Sequence, residues 1–545
     1  MRRAVCWTIL VILAGLALGA CSLERADEPA PMTAFDALAR RLPADLENAF
    51  FFDFKPDDQT RQHWATIRDR LQQNPVTRQP LEDLLARFRV EAYQLDSIIE
   101  GPAAAAQWGD TTVVLLPVLD EAAAWESMVR NLGDEQSWDQ ETVQGKLIYH
   151  GMFWEKGRAT FLAWTMDEDL LYLAYRPIGR SVGRLSDLLG LARGATLDSV
   201  DSWELLRQRL PNAPLAIAFF PVAELVSRPT PVAVEGYPPA PGDQPPSAVL
   251  ERHLEALALA FTPEGTGLRM DIQGVLGPDA GTEPVLQALF TLPAVETAGW
   301  DHLPANTALA LLSHDAPVIW PWFSGVLGLD LDHDPFSAVL ALDLEADLLS
   351  AEGPLQNGFA LAVRPPWPDQ PVIQGLPALH ALLVSKDVAQ AQVERLAAAL
   401  EGRGAVLGTT DLTGMELRTQ VGTQLSGYTL SFGLDGDTLF MASSPEVIRQ
   451  AIDDRREGSS LVSTGPFQAI VSRLPGDPFL LAYVDSQRLI ELAQANTDGG
   501  QDGANEMVQF LDLFDAMGVG LRLQSEQGDA GPGWVEGVCY FLIEE

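Results

Sequence analysis

Apolar and polar positions along the chain spell one series of phrases twice. A Leu-Pro turn leading into an apolar strand opens each series: LPADLENAFFFDF from Leu42 and LPANTALALLSHD from Leu303, 261 residues apart. RLPNAPLAIAFFPVAEL from Arg209 recurs as RLPGDPFLLAYVDSQRL from Arg473, 264 residues on. VLLPVLDEAAAW, ending at Trp125, parallels ALLVSKDVAQAQ from Ala381. Both read as a strand, an aspartate N-cap (Asp120 or Asp387) and an alanine-rich helix, because a carboxylate satisfies the free N–H groups of a helix start. MDEDLLYLAYRP from Met166 parallels LDGDTLFMASSP from Leu434. Each predicts a strand after a tight Asp-rich turn, halted at Pro177 or Pro445 before a helix. TLDS at Thr196 answers SLVS at Ser460, and GLRM at Gly267 answers GLRL at Gly520. The matches keep one order while their offsets drift between 253 and 268, as insertions confined to loops produce.

The pattern therefore predicts two tandem homologous modules, at 42–300 and 301–545. Within each the expected order is strand, helical region, strand, helix, several strands, two helices, strand, helix and closing strands. Strands follow one another through short turns more often than through helical crossovers. That predicts an α+β fold, each module a largely antiparallel sheet with helices packed on one face. Two long loops fall at one place in the series: the proline-rich Ser227 to Ser247, and Asn496 to Asn505.

Composition changes the picture mainly at the N-terminus. Arg2 and Arg3 precede an almost wholly apolar run from Val5 to Ala17. A membrane-spanning helix needs about 20 apolar residues, so the run reads as a cleavable signal over 1–20 rather than a span. It ends in Leu18-Gly19-Ala20-Cys21, which resembles the lipobox of bacterial lipoprotein signal peptides. The resemblance implies lipidation of Cys21, cleavage before it, and a tether over 21–41 holding an exported protein to a membrane of the cell envelope. Ser22, after the cysteine, fits the pattern that sorts lipoproteins to an outer membrane. Several acyl chains anchor stably, since each buried methylene contributes about 0.8 kcal/mol.

Of the three cysteines, Cys6 leaves with the signal and Cys21 takes lipid, leaving Cys539 in the apolar run VCYFLI as a buried structural thiol. With 75 acidic against 36 basic residues the net charge is −39, which disfavours nucleic acid and other polyanions as partners.

Laid out as two copies, the chain resembles a bacterial family of secreted or membrane-anchored envelope proteins catalogued as a domain of unknown function. The resemblance rests on LPANTALALL near Leu303, on Ser426 to Asp453, and on Ser460 to Asp485. It implies location and fold and lends no catalytic residues. The first copy follows more loosely, with Pro221 where the second has Asp485.

Chemistry is sparse by comparison. A nucleophilic hydrolase needs a serine or cysteine with a carboxylate-held histidine, and G-x-S-x-G is missing, as are both glycine-rich phosphate-binding signatures. The histidines (His63, His150, His253, His302, His314, His333 and His380) have no histidine counterparts; His302 falls opposite Arg41 and His314 opposite Asp53. DLDHD, Asp330 to Asp334, and the loop Asp498 to Asp502 offer carboxylates for calcium. The former lacks the glycine and glutamate of an EF-hand, with Pro335 and Ala341 in their places, and both read better as solvated acidic loops. Trp320, Trp322 and Trp367 beside prolines read as packing residues. No metal, cofactor or catalytic residue is expected. The expected role is a non-enzymatic binding or scaffolding lipoprotein, reaching the membrane through its lipid; the alternative is a carrier or sensor of an apolar ligand held between sheet and helices, and an enzyme of unfamiliar type comes last.

Overall fold

The computed structural model describes residues 31–73, 101–118, 122, 138–155, 158–176, 182–190, 194–222, 246–297, 300–320, 342–350, 352–367, 379–421, 429–496, 508–509, 511–525 and 533–543. The chain divides into two compact units, one drawn from 1–236 and 254–276, the other from 237–253 and 277–544.

The first unit holds β1 (Asn48–Asp53), β2 (Pro102–Trp108), β3 (Thr111–Pro117), β4 (Asp139–Val143), β5 (Lys146–Glu155), β6 (Arg158–Asp167), β7 (Leu170–Arg176), β8 (Ala216–Pro221), β9 (Leu254–Glu264) and β10 (Gly267–Leu276). Its helices include α1 (Pro31–Ala39), α2 (Asp58–Gln73), α3 (Val182–Gly190) and α4 (Asp201–Arg207). Pairing runs β4-β5-β6-β7-β3-β2-β1-β8-β9-β10, antiparallel throughout.

The second unit contains α5 (Pro246–His253), α6 (Pro284–Phe290), β11 (Leu309–Ser313), β12 (Phe359–Arg364), β13 (His380–Ser385), α7 (Gln390–Gly402), β14 (Val406–Leu412), β15 (Met415–Val421), β16 (Ser431–Asp435), β17 (Thr438–Ala442), α8 (Pro445–Glu457), α9 (Gly465–Val471), β18 (Leu480–Asp485), α10 (Ser486–Asn496), β19 (Ala516–Ser525) and β20 (Gly533–Leu542). Its pairing runs β14-β15-β16-β17-β13-β12-β11-β18-β19-β20, again antiparallel. Substituting each strand by the one ten later converts the first order into the second.

Local bonds repeat as well. Leu197 N–H donates to Leu42 O at 2.9 Å and Leu461 N–H to Leu303 O at 2.7 Å, pinning each Leu-Pro turn beside a short 3-10 segment. Pro43 bridges Thr196, and Pro304 bridges Ser460. Val118 N–H reaches Asp169 O at 2.8 Å, and Val388 N–H reaches Asp437 O at 2.9 Å. The hairpins β4–β5 and β14–β15 turn on Gln144-Gly145 and Thr413-Gly414, all four at positive φ. That is the two-residue geometry matching strand twist, and glycine is its cheapest second residue. A buried aromatic pair recurs too. Trp203 on α4 meets Phe219 on β8 edge-on at 5.2 Å, and Phe467 on α9 meets Tyr483 on β18 at 5.3 Å.

Three expectations need correction. Strands β8 and β17 are buried on both faces, where one covered face was expected. Successive strand residues point to opposite faces, yet Leu439, Phe440, Met441 and Ala442 of β17 are all buried, as are Ala216, Ile217, Ala218 and Phe219 of β8. Phe440 and Ala442 share a core with Val447 and Ile448 of α8 and with Phe467 of α9. The β17 residues between them point the other way, and α7 packs on β14 and β16 with a buried face of its own. Near-continuous apolar strands demand cover on both sides. Asp387 does not cap α7: it lies at φ 56, the cap is Ala389, and its N–H donates to the Gln392 side chain at 2.8 Å. Asp120 lies outside the described residues. Gly267 and Gly520 are not equivalent, since one begins β10 and the other sits within β19, whose counterpart is β9.

Candidate functional site

The second unit carries a cavity of about 270 Å³ lined by Asp301, Thr413, Met415, Asp435, Ile452, Arg455 and Arg456. Four elements bring these together. Asp301 precedes the Leu-Pro turn; Thr413 and Met415 belong to the β14–β15 hairpin; Asp435 ends β16; the others lie in the last turns of α8. Arginine at a helix C-terminus is favoured by the carbonyl ends exposed there.

The charges are only partly matched. Arg455 Nε lies 3.2 Å from Asp301 Oδ2. Arg456 reaches no closer than 4.0 Å to Asp453, and both are more than half exposed. Asp435 has no ion pair among the described residues. Beside the cavity His302 is 5 % exposed, its ring 5.1 Å from that of Phe440. Its Nδ1 is 3.1 Å from Asp301 Oδ1, without hydrogen-bond geometry, and among the described residues neither ring nitrogen has a hydrogen-bond partner. Burial, then the charges of Arg455 and Lys386, pushes the His302 pKa down against the pull of Asp301 and Asp435, so the ring is neutral near pH 7. Lys386 is held 4.2 Å over the Trp300 ring, and burial lowers its own pKa.

The first unit pairs the charges at the corresponding positions. Where the second has Asp301 and His302, the first has Arg40 and Arg41. Arg40 Nε lies 3.3 Å from Asp198 Oδ2 and Arg41 Nη2 lies 3.1 Å from Glu168 Oε2. Tyr172, the counterpart of Phe440, is buried nearby, and burial raises its pKa against the pull of the Arg41 charge. The hairpins align as Val143-Gln144-Gly145-Lys146 and Leu412-Thr413-Gly414-Met415. Lys146 forms an ion pair with Asp167, the counterpart of Asp435. In the second unit the position of that lysine holds Met415.

A second polar cluster lies at the far end of β12 and β13. Arg364 and His380 are register partners, 3 % and 1 % exposed. Arg364 Nη1 donates to Gln450 Oε1 at 2.6 Å while its Nε has no partner among the described residues, and burial lowers its pKa to about 10. His380 shares a 3.2 Å contact with Ser443 Oγ and meets the Trp367 ring at 3.8 Å; burial, then Arg364, lowers its pKa to about 4. The register places Trp108 and Thr111 at these positions in the first unit, where the Arg184 guanidinium lies 4.4 Å over the Trp108 ring.

Of the residues singled out from sequence, Cys21, His333, Trp322 and the loops Asp330 to Asp334 and Asp498 to Asp502 lie outside the described residues. Cys539 is buried in β20, and burial pushes its thiol up to about 12. Trp367 packs against the core. His302 and His380 belong to the two clusters. His63 is on α2 and His150 on β5; His253 ends α5, 3.8 Å from Glu283, and His314 Nε2 is 3.1 Å from Ala294 O. Sequence reasoning passed over Asp301, Met415, Arg455 and Arg456; alignment of the two hairpins, which exposes Lys146 against Met415, was the signal that finds them.

Three comparisons bear on the chain. A search of curated proteins returned no match. Among solved structures, crystal forms IV and I of TP0453 match at 9 % and 10 % identity, each over 44 % of this chain and 79 % and 78 % of theirs. Crystal form III matches at 10 % over 50 % and 91 %, and the TM-score is 0.25 in all three cases. Residues 355–527, all within the second unit, match the model of a family described as a protein of unknown function (DUF3352).

Proposed function

We propose that the chain is a lipid-anchored bacterial envelope protein, built of two modules related by tandem duplication, that binds or organises a partner rather than turning over a substrate. Leu18 to Cys21 supports the anchor. The common strand order and the repeated turn bonds support the duplication. One observation carries the binding reading: at a cavity of the second unit Asp435 stands without an ion pair among the described residues, where its first-unit counterpart Asp167 is paired with Lys146.

The test compares native protein with Cys21→Ser by intact mass and membrane fractionation, followed by in-cell cross-linking. The expected wild-type mass corresponds to cleavage before Cys21 plus acyl chains, with the variant lost from membranes and its cross-linked partners lost too. A soluble, unlipidated wild type overturns the anchor. A hydrolytic activity abolished by one point substitution overturns the binding reading.

A further inference from the structure

We infer that the cavity of the second unit is a site for a small zwitterion, a molecule carrying a primary ammonium and a carboxylate. The inference rests on the binding reading and gives it a ligand class.

The first unit supplies the template for half of it. There the hairpin turn, two residues at positive φ, delivers Lys146 so that its ammonium sits against the Asp167 carboxylate. The second unit keeps the hairpin geometry, with Thr413 and Gly414 at positive φ, and keeps the carboxylate as Asp435. It replaces the lysine by Met415, whose side chain brings no charge. The scaffold thus retains an ammonium acceptor and removes the ammonium. A ligand that brings its own completes the pair.

The other half comes from α8. Arg455 is engaged by Asp301. Arg456 lines the same cavity with, among the described residues, only a distant contact to Asp453, leaving its guanidinium fork to take a carboxylate. The Met415 and Ile452 side chains add apolar wall for the methylenes between the two charges. A volume of about 270 Å³ lies just below the range of drug-sized ligand pockets, roughly 300 to 1,000 Å³, so a few-carbon molecule fits better than a peptide or glycan. The site is open, with Asp301 and Arg455 each 43 % exposed, and weak, salt-sensitive binding follows from screening by water and ions.

The test uses the full chain with methionine methyl groups labelled with ¹³C, so that Met415 reports from the cavity wall. Met415→Leu identifies its resonance. Glycine, 4-aminobutanoate and 6-aminohexanoate are titrated, with n-butylamine and butanoate as single-charge controls. One of the three zwitterions is expected to shift the Met415 signal saturably, at least tenfold more tightly than either control. Asp435→Asn and Arg456→Gln are each expected to weaken it about tenfold. Met415→Lys, which rebuilds the first unit's own pair at a core position only 4 % exposed, is expected to abolish binding as read by saturation transfer to the ligand, with Met415→Leu as the folded reference and far-ultraviolet circular dichroism of both variants separating loss of the site from loss of the fold.

Binding that survives Asp435→Asn or Met415→Lys overturns the inference, as does no response to any zwitterion. Cross-linked envelope partners that persist when every zwitterion fails would remove the ligand class and leave the broader binding reading standing.

Discussion

The two units build one strand order and one set of turn bonds, yet they treat their charged and aromatic positions in opposite ways. In the first, Arg40, Arg41 and Lys146 each meet an acidic partner, and Trp108 with Thr111 closes the end of β2 and β3. In the second, the matching places hold Asp301, His302, Met415, Arg364 and His380. Carboxylate and imidazole stand where guanidinium stood, and a cation is buried where an indole was. A buried guanidinium with a neutral partner costs several kcal/mol relative to a paired or apolar arrangement. The scaffold does not require it, as the first unit demonstrates. What the units share is therefore the requirement of the fold, and what they do not share is where function is to be sought.

The comparison can be broken first at its common core. Trp203 is 1 % exposed and touches both Phe51 and Phe219. Trp203→Ala is expected to cost about 3–5 kcal/mol, as truncation of a buried aromatic does. Hydrogen exchange resolved by segment should show the loss across β1, β8 and β9, while β11 and β18 keep their protection. Equal loss in both units would mean that they unfold as one cooperative body.

A smaller effect separates the units by pH. His380 has a folded pKa of about 4, against roughly 6.5 in an unfolded chain. Because the folded state prefers the neutral ring, the full stability is present above about pH 6.5 and is lost as pH falls towards 4. The loss is of the order of 2–3 kcal/mol. His302 titrates in the same sense. Their counterparts Thr111 and Arg41 do not titrate in this range, so acid is expected to loosen the second unit by this route and not the first. His380→Gln should flatten the acid limb measured on β12 and β13; an unchanged limb would assign the acid sensitivity elsewhere.

The smallest effect is the ion pair itself. Lys146 and Asp167 are 35 % and 20 % exposed, and such a pair is worth about 0.2–1 kcal/mol. Lys146→Met should cost the first unit no more than that, read from the denaturation midpoint, and the difference should shrink in high salt. A loss of several kcal/mol would make the pair a requirement of the hairpin and would remove Met415 as a meaningful departure.

Much of the architecture was legible because period, turn residues and apolar runs are local signals. The Leu-Pro turns at Leu42 and Leu303, the Asp-rich turns at Asp167 and Asp435, and Pro445 at the first position of α8 all stand where the pattern places them. Sidedness was not legible from the same runs, since AIAFF in β8 and TLFMA in β17 are compatible with a strand buried on either face or both. Asp387 misled because an aspartate also tolerates the left-handed turn it occupies. GLRM and GLRL coincided in letters on strands of different rank. The cavity stayed hidden for a different reason. Asp301, Met415, Asp435 and Arg456 lie far apart in sequence, and only the sheet order brings them to one opening.

Cys539 gives the second unit a built-in timer. Its thiol is 7 % exposed on β20, next to its register partner Val519 on β19, and with a pKa of about 12 it has almost no thiolate at neutral pH. Its side chain points off a face of the sheet, so a sulfhydryl reagent reaches it only after the packing over that face opens and the thiol regains its ordinary acidity. Modification at this one atom therefore counts openings of the second unit's core, and the protein carries its own stopwatch for how long that core stays covered.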